Sequence, residues 1–395
     1  MTVVAVVLTG YVVLCIVYWS WMAYGLFRVR RAAPRLSELT TPEPQHWPKL
    51  SVIVPACDEA DKFDPAVRTL LEEDYPELEI VLVDDRSTDG TGAGMDRVAA
   101  SDARVKVLHV TELPEGWLGK VNALRRGLKE SEGEFVLFTD ADVHFTRGTL
   151  RRAVALCCAS KLDHLTALPN IWPTNVVLDA ALSVTIRQLI VLSRPWEFSD
   201  PASSGYMGVG AFNLVRRSAF DATPGFEWLR LEVADDMGLA LMMKRSGARC
   251  AIVSGFDQVG LYWYRTIGEA AHGSEKGWAT ALHFSLWRTA VAALAGIALE
   301  LSPVLTLLPL FSDGLRFVGC AGIAVFLVFL ASVFALSSWV RGKFVPALAG
   351  PLAVPLMEVL LVRAAFLGRK RGGVLWRGTL YPTEVLRAGM RVFFP

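Results

Sequence analysis

The sequence has no surplus of charge. Against 40 Lys and Arg stand 39 Asp and Glu in 395 residues, a formal net charge of +1. Nothing in that balance calls for a nucleic-acid partner. Cysteine is scarce: Cys15, Cys57, Cys157, Cys158, Cys250 and Cys320 are scattered, with no C-x-x-C pair. A disulfide framework and a zinc site are both disfavoured, and the thiols read as small buried hydrophobes in a reducing compartment. No internal repeat or low-complexity tract is present. From Thr2 to Phe27 charge is missing altogether.

What is abundant is apolar side chain, 53% of residues with a mean hydropathy of +0.38, high for a chain whose only solvent is water. The uncharged Thr2–Phe27 run can cross ~30 Å of hydrocarbon. Arg28, Arg30, Arg31 and Arg35 follow it, which reads as an uncleaved anchor with its downstream side cytoplasmic. Apolar runs return at Ala290–Phe311, Phe317–Trp339 and Phe344–Leu367. Three full crossings there would leave Arg369, Lys370 and Arg371 outside, against the positive-inside tendency. A proline-broken run is therefore expected to be re-entrant, and Phe344–Leu367, with Pro346, Pro351 and Pro355, is the choice. Residues 176–196 read as an amphipathic helix at the membrane surface, or equally as a buried core helix. The chain divides into an anchor (1–27), a basic, proline-rich linker (28–48), an α/β domain (49–285), transmembrane or re-entrant segments (286–368) and an interfacial tail (369–395).

Within the α/β domain, LSVIVPA, EIVLVDD, VKVLHV and EFVLFTDADV are β-branched runs ending in acidic or turn residues. Helical stretches, Asp64–Glu73 and Lys120–Glu130, lie between them. That alternation predicts β-α-β units and a largely parallel sheet, with ligands at the carboxyl ends of the strands.

The acidic clusters fall at those ends. In VLVDDRSTDGT, Asp84 and Asp85 close a strand, where a carboxylate accepts hydrogen bonds from a nucleobase or ribose, or simply caps the next helix. TDADV sets Asp140 and Asp142 two apart, so both can reach one side of a strand end. Hard oxygens of that kind suit Mg2+ or Mn2+ on a diphosphate, or form a solvated acidic turn. In GWLGKVNALRRGL, Lys120 stands at a helix start, as a phosphate partner or a surface lysine. In LEVADDMGLALMMKRSG, Asp235 and Asp236 precede an apolar-striped helix. Asp236 is a candidate general base, and an acid in a first helical turn is its ordinary alternative. Gly208 and Gly210 of GYMGVGAFNLVRRSAF, read as a turn before a basic helix, let backbone approach a sugar or lipid head closely, or only turn the chain.

Taken in order, IVPACDEAD, VDDRSTDGT, TDADV and Ala234-Asp235-Asp236 resemble the first strand and loop, the nucleotide aspartates, the metal motif and the catalytic-base motif of the family 2 inverting glycosyltransferases, over roughly residues 49–250. The flanking segments and WRGTLYP (Trp376–Pro382) further resemble the ceramide-glucosyltransferase-like and hopanoid-associated members. The resemblance implies a GT-A (nucleotide-diphospho-sugar transferase, Rossmann-like) α/β domain with transmembrane helices. It implies Asp58, Asp84 and Asp85 near the nucleotide, and Lys120 and Asn122 near the diphosphate. Asp140 would lie beside nucleotide or metal, Asp142 would be the principal ligand of a divalent Mg2+ or Mn2+, and Asp236 the base. Asp235, Gly208, Gly210, Lys276 and Trp278 are implied acceptor or diphosphate contacts. Two departures stand out. Asp58 and Glu59 occupy places where members usually have Asn and Glu. SEKGW replaces the Q/R-x-x-R-W motif of processive synthases, which favours a single transfer.

The expectation is an enzyme of a multi-pass inner or plasma membrane, with its catalytic domain in the cytoplasm. It would move one sugar from a nucleotide-sugar, a UDP-hexose, to a lipid. A processive polysaccharide synthase, a nucleotidyltransferase and an inactive membrane scaffold are the alternatives.

Overall fold

The computed structural model describes residues 3–340 and 342–393; the first two residues of the expected anchor, Arg341, and the last two of the tail lie outside them. The chain forms two compact units. One comprises 32–172, 195–263 and the stretch from Leu375 on; the other comprises the chain up to Arg31, 173–194 and 264–374.

The first unit is built on an eight-stranded sheet. Its strands are β1 (Leu50–Ala56), β2 (Leu78–Asp85), β3 (Val105–Val110), β4 (Phe135–Phe138), β5 (His144–Phe145), β6 (His164–Ile171), β7 (Asn213–Arg216) and β8 (Cys250–Leu261), in spatial order β3-β2-β1-β4-β7-β6-β8-β5. Every residue of β1, β2 and β4 is buried, so these strands read as largely apolar runs in the sequence, interrupted by Ser51 and Glu79, which bond each other at 2.6 Å. The half from β3 to β4 is parallel, as expected. The other half is mixed: β7 runs antiparallel to both β4 and β6, β6 pairs β8 in parallel, and β5 pairs β8 antiparallel. FNLVR, expected to lead into a basic helix, is strand β7, because Leu214 and Val215 are sealed between neighbours and override the helical reading.

Register decides where chemistry can gather. Ala56 lies opposite Asp84, and Ile53 opposite Phe138, so the loops after β1, β2 and β4 leave the sheet on one edge. Helix Gly119–Lys129 packs on β1 and β2, and Gly127 fits there only because a Cβ would collide with Ile53. Late in the chain β9 (Gly373–Trp376) and β10 (Thr379–Pro382) form a hairpin.

The second unit is helical. Four helices of the described chain are long and apolar enough to cross a membrane: Val3–Ala32, Val176–Glu197, Arg316–Trp339 and Phe344–Arg371. Ala180, Ala181, Val184, Ala353 and Met357 form a small core in it, and Gly350 lets Val184 approach closely. Arg187 is fully buried against Glu300, with Gln188 Nε2 donating to the same carboxylate at 3.0 Å.

The expectation of a re-entrant last segment is corrected here. Phe344–Arg371 is one continuous helix despite Pro351 and Pro355, while Pro346 sits in its first turn, where no N–H is missed. The broken segment is the earlier one. Leu286–Glu300 stops, and Ser302–Leu305 and Leu308–Phe311 restart, with Pro303 and Pro309 at their starts. Before them, Ile267–Ala281 meets Leu286–Glu300 at 109°, where His283 and Phe284 both take left-handed backbone.

Candidate functional site

The edge of the sheet where β1, β2 and β4 end carries most of the acidic residues singled out above. Thr139 is fixed first. Its N–H donates to Ile53 O, its hydroxyl donates to Ala211 O at 2.8 Å, and the next N–H, Asp140, donates to Gly210 O at 3.0 Å. The TDADV loop is thereby stitched to the glycine loop. A Cβ on Gly210 would strike the Asp140 carboxylate, and one on Gly208 the carbonyl of Asp236. Glycine is needed at both positions because protein atoms come this close.

At this junction lies a small, partly open cleft lined by the polar Lys120, Thr139, Asp140, Gly210, Asp235 and Asp236 and by the apolar Phe138, Phe226 and Leu239. Lys120 Nζ lies 2.6 Å from Asp140 Oδ1 and 3.4 Å from Asp235 Oδ2. Burial works against its charge, but Asp140, Asp235 and Asp236 outweigh burial and hold the ammonium on. Asp236 opens the helix Asp235–Arg245. Its Oδ2 accepts from Gly210 N and its Oδ1 from Met237 N, both at 2.8 Å. Burial and the neighbouring Asp235 push its carboxyl up to about 6, with Lys120 pulling the other way. The result is a carboxylate held in orientation by two N–H groups, with a proton affinity suited to exchange near neutral pH.

Asp142 is raised to about 6, by burial and then by the negative charges of Asp140 and Glu59. Crowded carboxylate oxygens of this kind match Mg2+ or Mn2+, which take one or two protein carboxylates and complete their shells with phosphate and water. Among the described residues no three His, Cys, Asp or Glu side chains cluster as a self-sufficient metal cage.

The loops after β1 and β2 interlock. Asp58, in left-handed backbone, accepts from Thr88 N at 2.7 Å, and its own N–H donates to Ser87 Oγ. Asp84 accepts from Ser87 N and meets His109 Nδ1 at 2.9 Å; this hydrogen bond, with a second to Asp96, raises the imidazole's proton affinity. Asp85 is clasped by Arg86 through Nε at 2.9 Å and Nη2 at 3.1 Å. Gly119 has Asp85 and Arg86 so close that a Cβ would collide with both.

Three of the expected contacts are not among the residues that line this cleft. Asn122 is fully buried outside the cleft lining, and neither of its amide atoms has a partner. Lys276 and Trp278 lie on Ile267–Ala281, in the helical unit. In SEKGW it is Glu275 that is buried, bonded by Arg363 at 2.6 Å and Arg371 at 2.9 Å. Several residues around the site carry no signal in the sequence. Arg86, which clasps Asp85, stands directly after the aspartate pair, and a lone arginine carries no motif. Phe226, Leu239 and Asn213 are distant in sequence and carry no local signal.

Residues 51–222, somewhat under half of the chain, match the family model described as Glycosyl transferase family 2. A Campylobacter jejuni protein, GalNAc(5)-diNAcBac-PP-undecaprenol beta-1,3-glucosyltransferase, is 34% identical over 103 residues, 26% of this chain and 32% of the relative. The beta-monoglucosyldiacylglycerol synthase of Synechocystis is 26% identical over 255 residues, 59% of this chain and 50% of the relative. These matches span between a third and a half of the relatives' own length. A solved mannosyltransferase of Pyrobaculum calidifontis, in complex with GDP-Man and Mn2+, superposes with a TM-score of 0.53 at 20% identity, over 93% of this chain and 97% of that one. That likeness is one of fold, and the fold is GT-A.

Proposed function

We propose that this chain is a membrane-bound inverting glycosyltransferase that moves one hexose from a UDP-hexose to the hydroxyl of a lipid. The observation that carries the reading is Asp236: a half-buried carboxylate, oriented by Gly210 and Met237, sharing a cleft with Lys120 and Asp140. The family model that residues 51–222 match supplies the reaction class. Two relatives named for lipid-linked and diacylglycerol products, together with apolar helices in this chain, support a lipid acceptor.

In this reading residues 49–285 carry the chemistry, facing the cytoplasm, while 1–27 and 286–368 hold the enzyme in the membrane. Asp58, Asp84 and Asp85 bind base and ribose, and Asn122 stands behind the diphosphate site. Asp142 and Asp140 hold Mg2+ or Mn2+, which neutralises diphosphate charge when bound. Asp236 takes the proton of the lipid hydroxyl. That oxygen forms its bond to the anomeric carbon on the face opposite the UDP, the bond from that carbon to the UDP oxygen breaks, and UDP leaves with the electron pair. Lys120 faces the developing charge. One displacement inverts the centre and needs no covalent nucleophile. Gly208 and Gly210 shape the loop, Asp235 sets the charge of Lys120, and Lys276 and Trp278 are assigned to the acceptor side.

The test is full-length protein in detergent with UDP-sugars, Mn2+ and a membrane lipid extract, followed by UDP release and lipid mass. The expected product is a lipid heavier by one hexose, formed by wild type and absent with Asp236→Asn, which still binds UDP. Full turnover by that variant removes Asp236 as the base, and a growing polymer replaces the reading with a synthase.

A further inference from the structure

The WRGTLYP segment has no task in the reaction as described, yet its side chains reach the nucleotide-side loops. Strands β9 and β10 are joined by two residues, Arg377 and Gly378, with φ of 48° and 74°. Left-handed backbone at both central positions defines a type I′ turn, whose usual occupants are Asn, Asp and Gly. An arginine at the first position is therefore held in an unfavourable conformation, a pattern that concentrates at ligand clamps. Its side chain is 41% exposed, yet the guanidinium is paired with protein. Nη1 donates to Asp58 O at 3.3 Å and Nη2 pairs with the Glu59 carboxylate. Two further anchors set the hairpin in place. Thr379 Oγ1 accepts from Arg86, whose other nitrogens clasp Asp85, and Tyr381 Oη accepts from Gly119 N at 3.3 Å. Trp376 packs toward Tyr381 with ring centroids 6.5 Å apart. Over 290 residues beyond β2 in sequence, the chain thus returns to the loops after β1 and β2 and to the start of the Gly119–Lys129 helix.

We propose that Arg377 is a donor-binding residue: the hairpin closes the nucleotide site, and its guanidinium moves from Glu59 to the diphosphate of the bound nucleoside diphosphate. The proposal rests on the transferase reading above. Two observations favour the donor's phosphates over those of a lipid. Arg377 touches the loop of Asp58 and Glu59. Its hairpin neighbours touch Asp85–Arg86 and Gly119. A guanidinium binds two phosphate oxygens side by side, whereas a lysine offers a single point of charge. In the donor-free enzyme Glu59 keeps that guanidinium paired and poised.

The experiment is calorimetric titration of full-length protein in detergent and Mn2+ with UDP, GDP and UMP, with donor and acceptor KM and a thermal melt measured alongside. Wild-type protein that binds neither diphosphate overturns the transferase reading itself. Where wild type binds one, Arg377→Ala is expected to weaken that diphosphate about tenfold or more, the worth of one charge-assisted pair. UMP should be weakened less, donor KM should rise while acceptor KM holds, and Arg377→Lys should recover part of the loss. Unchanged diphosphate affinity, or a rise confined to acceptor KM, overturns the proposal. Glu59→Gln separates clamp from scaffold: affinity equal to or tighter than wild type fits a guanidinium released from a competitor, and a loss as large as that of Arg377→Ala overturns it. If the alanine variant does not fold, Arg377→Gln, which keeps most of the side chain's length, carries the same test.

Discussion

Asp236, Asp235, Asp140 and Lys120 form a small field in which each member sets the charge of the others. Three carboxylates keep Lys120 charged, and Lys120 in turn restrains the rise in Asp236. A base must be deprotonated to act. Since the Asp236 carboxyl sits at about 6, kcat/KM should fall as pH drops through about 6 and level off above it. Lys120→Met removes the cation that favours the charged carboxylate, so the acid limb of the residual activity should move to higher pH. An unmoved limb would assign it to another group. Two glycines give a complementary pair of tests. A methyl at Gly210 meets side chains, Asp140 and Lys120, which can swing aside. Gly210→Ala should therefore fold and lose most turnover. A methyl at Gly208 meets the backbone carbonyl of Asp236, which cannot swing, and Gly208→Ala should lower the melting temperature as well. Equal melting of the two variants would contradict this distinction.

Elements whose partners are local could be read from the chain, and elements defined by distant partners could not. β1, β2 and β4 are buried on both faces, so each is a largely apolar run, and each run ends where Asp58, Asp84–Asp85 or Asp140–Asp142 begins. β8 carries Ser254, Asp257 and Gln258, and its alternation is too irregular to mark a strand without its neighbours β6 and β5. The hairpin β9–β10 was visible only as a resemblance, since no composition rule says that Arg377 will meet Glu59. Glu275 is a similar case: a charge in a polar stretch of sequence, buried in the fold because Arg363 and Arg371 come to it from the distant helix Phe344–Arg371. Glu275→Ala would leave two guanidiniums unpaired. Each arginine side chain is about a third exposed, at 32% and 35%, so water recovers part of the loss. The expected cost is about 1–2 kcal/mol, below the full penalty of a broken buried pair. A thermal melt in detergent reads it. A melt at the wild-type temperature would mean that the pairs are solvated and idle.

At the scale of the whole chain, the sheet constrains how the apolar helices can be threaded. β6 ends before Val176–Ser193 and β7 begins after it, yet β6 and β7 are hydrogen-bonded neighbours. A sheet domain lies on one side of a membrane, so the chain enters and leaves that helix on the same side, and its length and hydropathy do not make it a crossing. The same logic applies later: Trp263 and Leu375 both belong to the sheet unit, so an even number of crossings separates them. The two unbroken helices there, Arg316–Trp339 and Phe344–Arg371, meet this parity by going out and back, whereas the stretch from Ile267 to Phe311 is bent and interrupted by prolines. Such a threading leaves Arg369, Lys370 and Arg371 on the side from which the pair starts and removes the charge conflict that three crossings would create. Single cysteines in a cysteine-free variant test it in intact cells with a membrane-impermeant maleimide. Gly342→Cys, between the two helices, should label from outside, while Ser312→Cys and Gly372→Cys should label only after permeabilisation. External labelling of Gly372→Cys would require an odd number of crossings, which a catalytic unit assembled from both ends of this stretch does not allow.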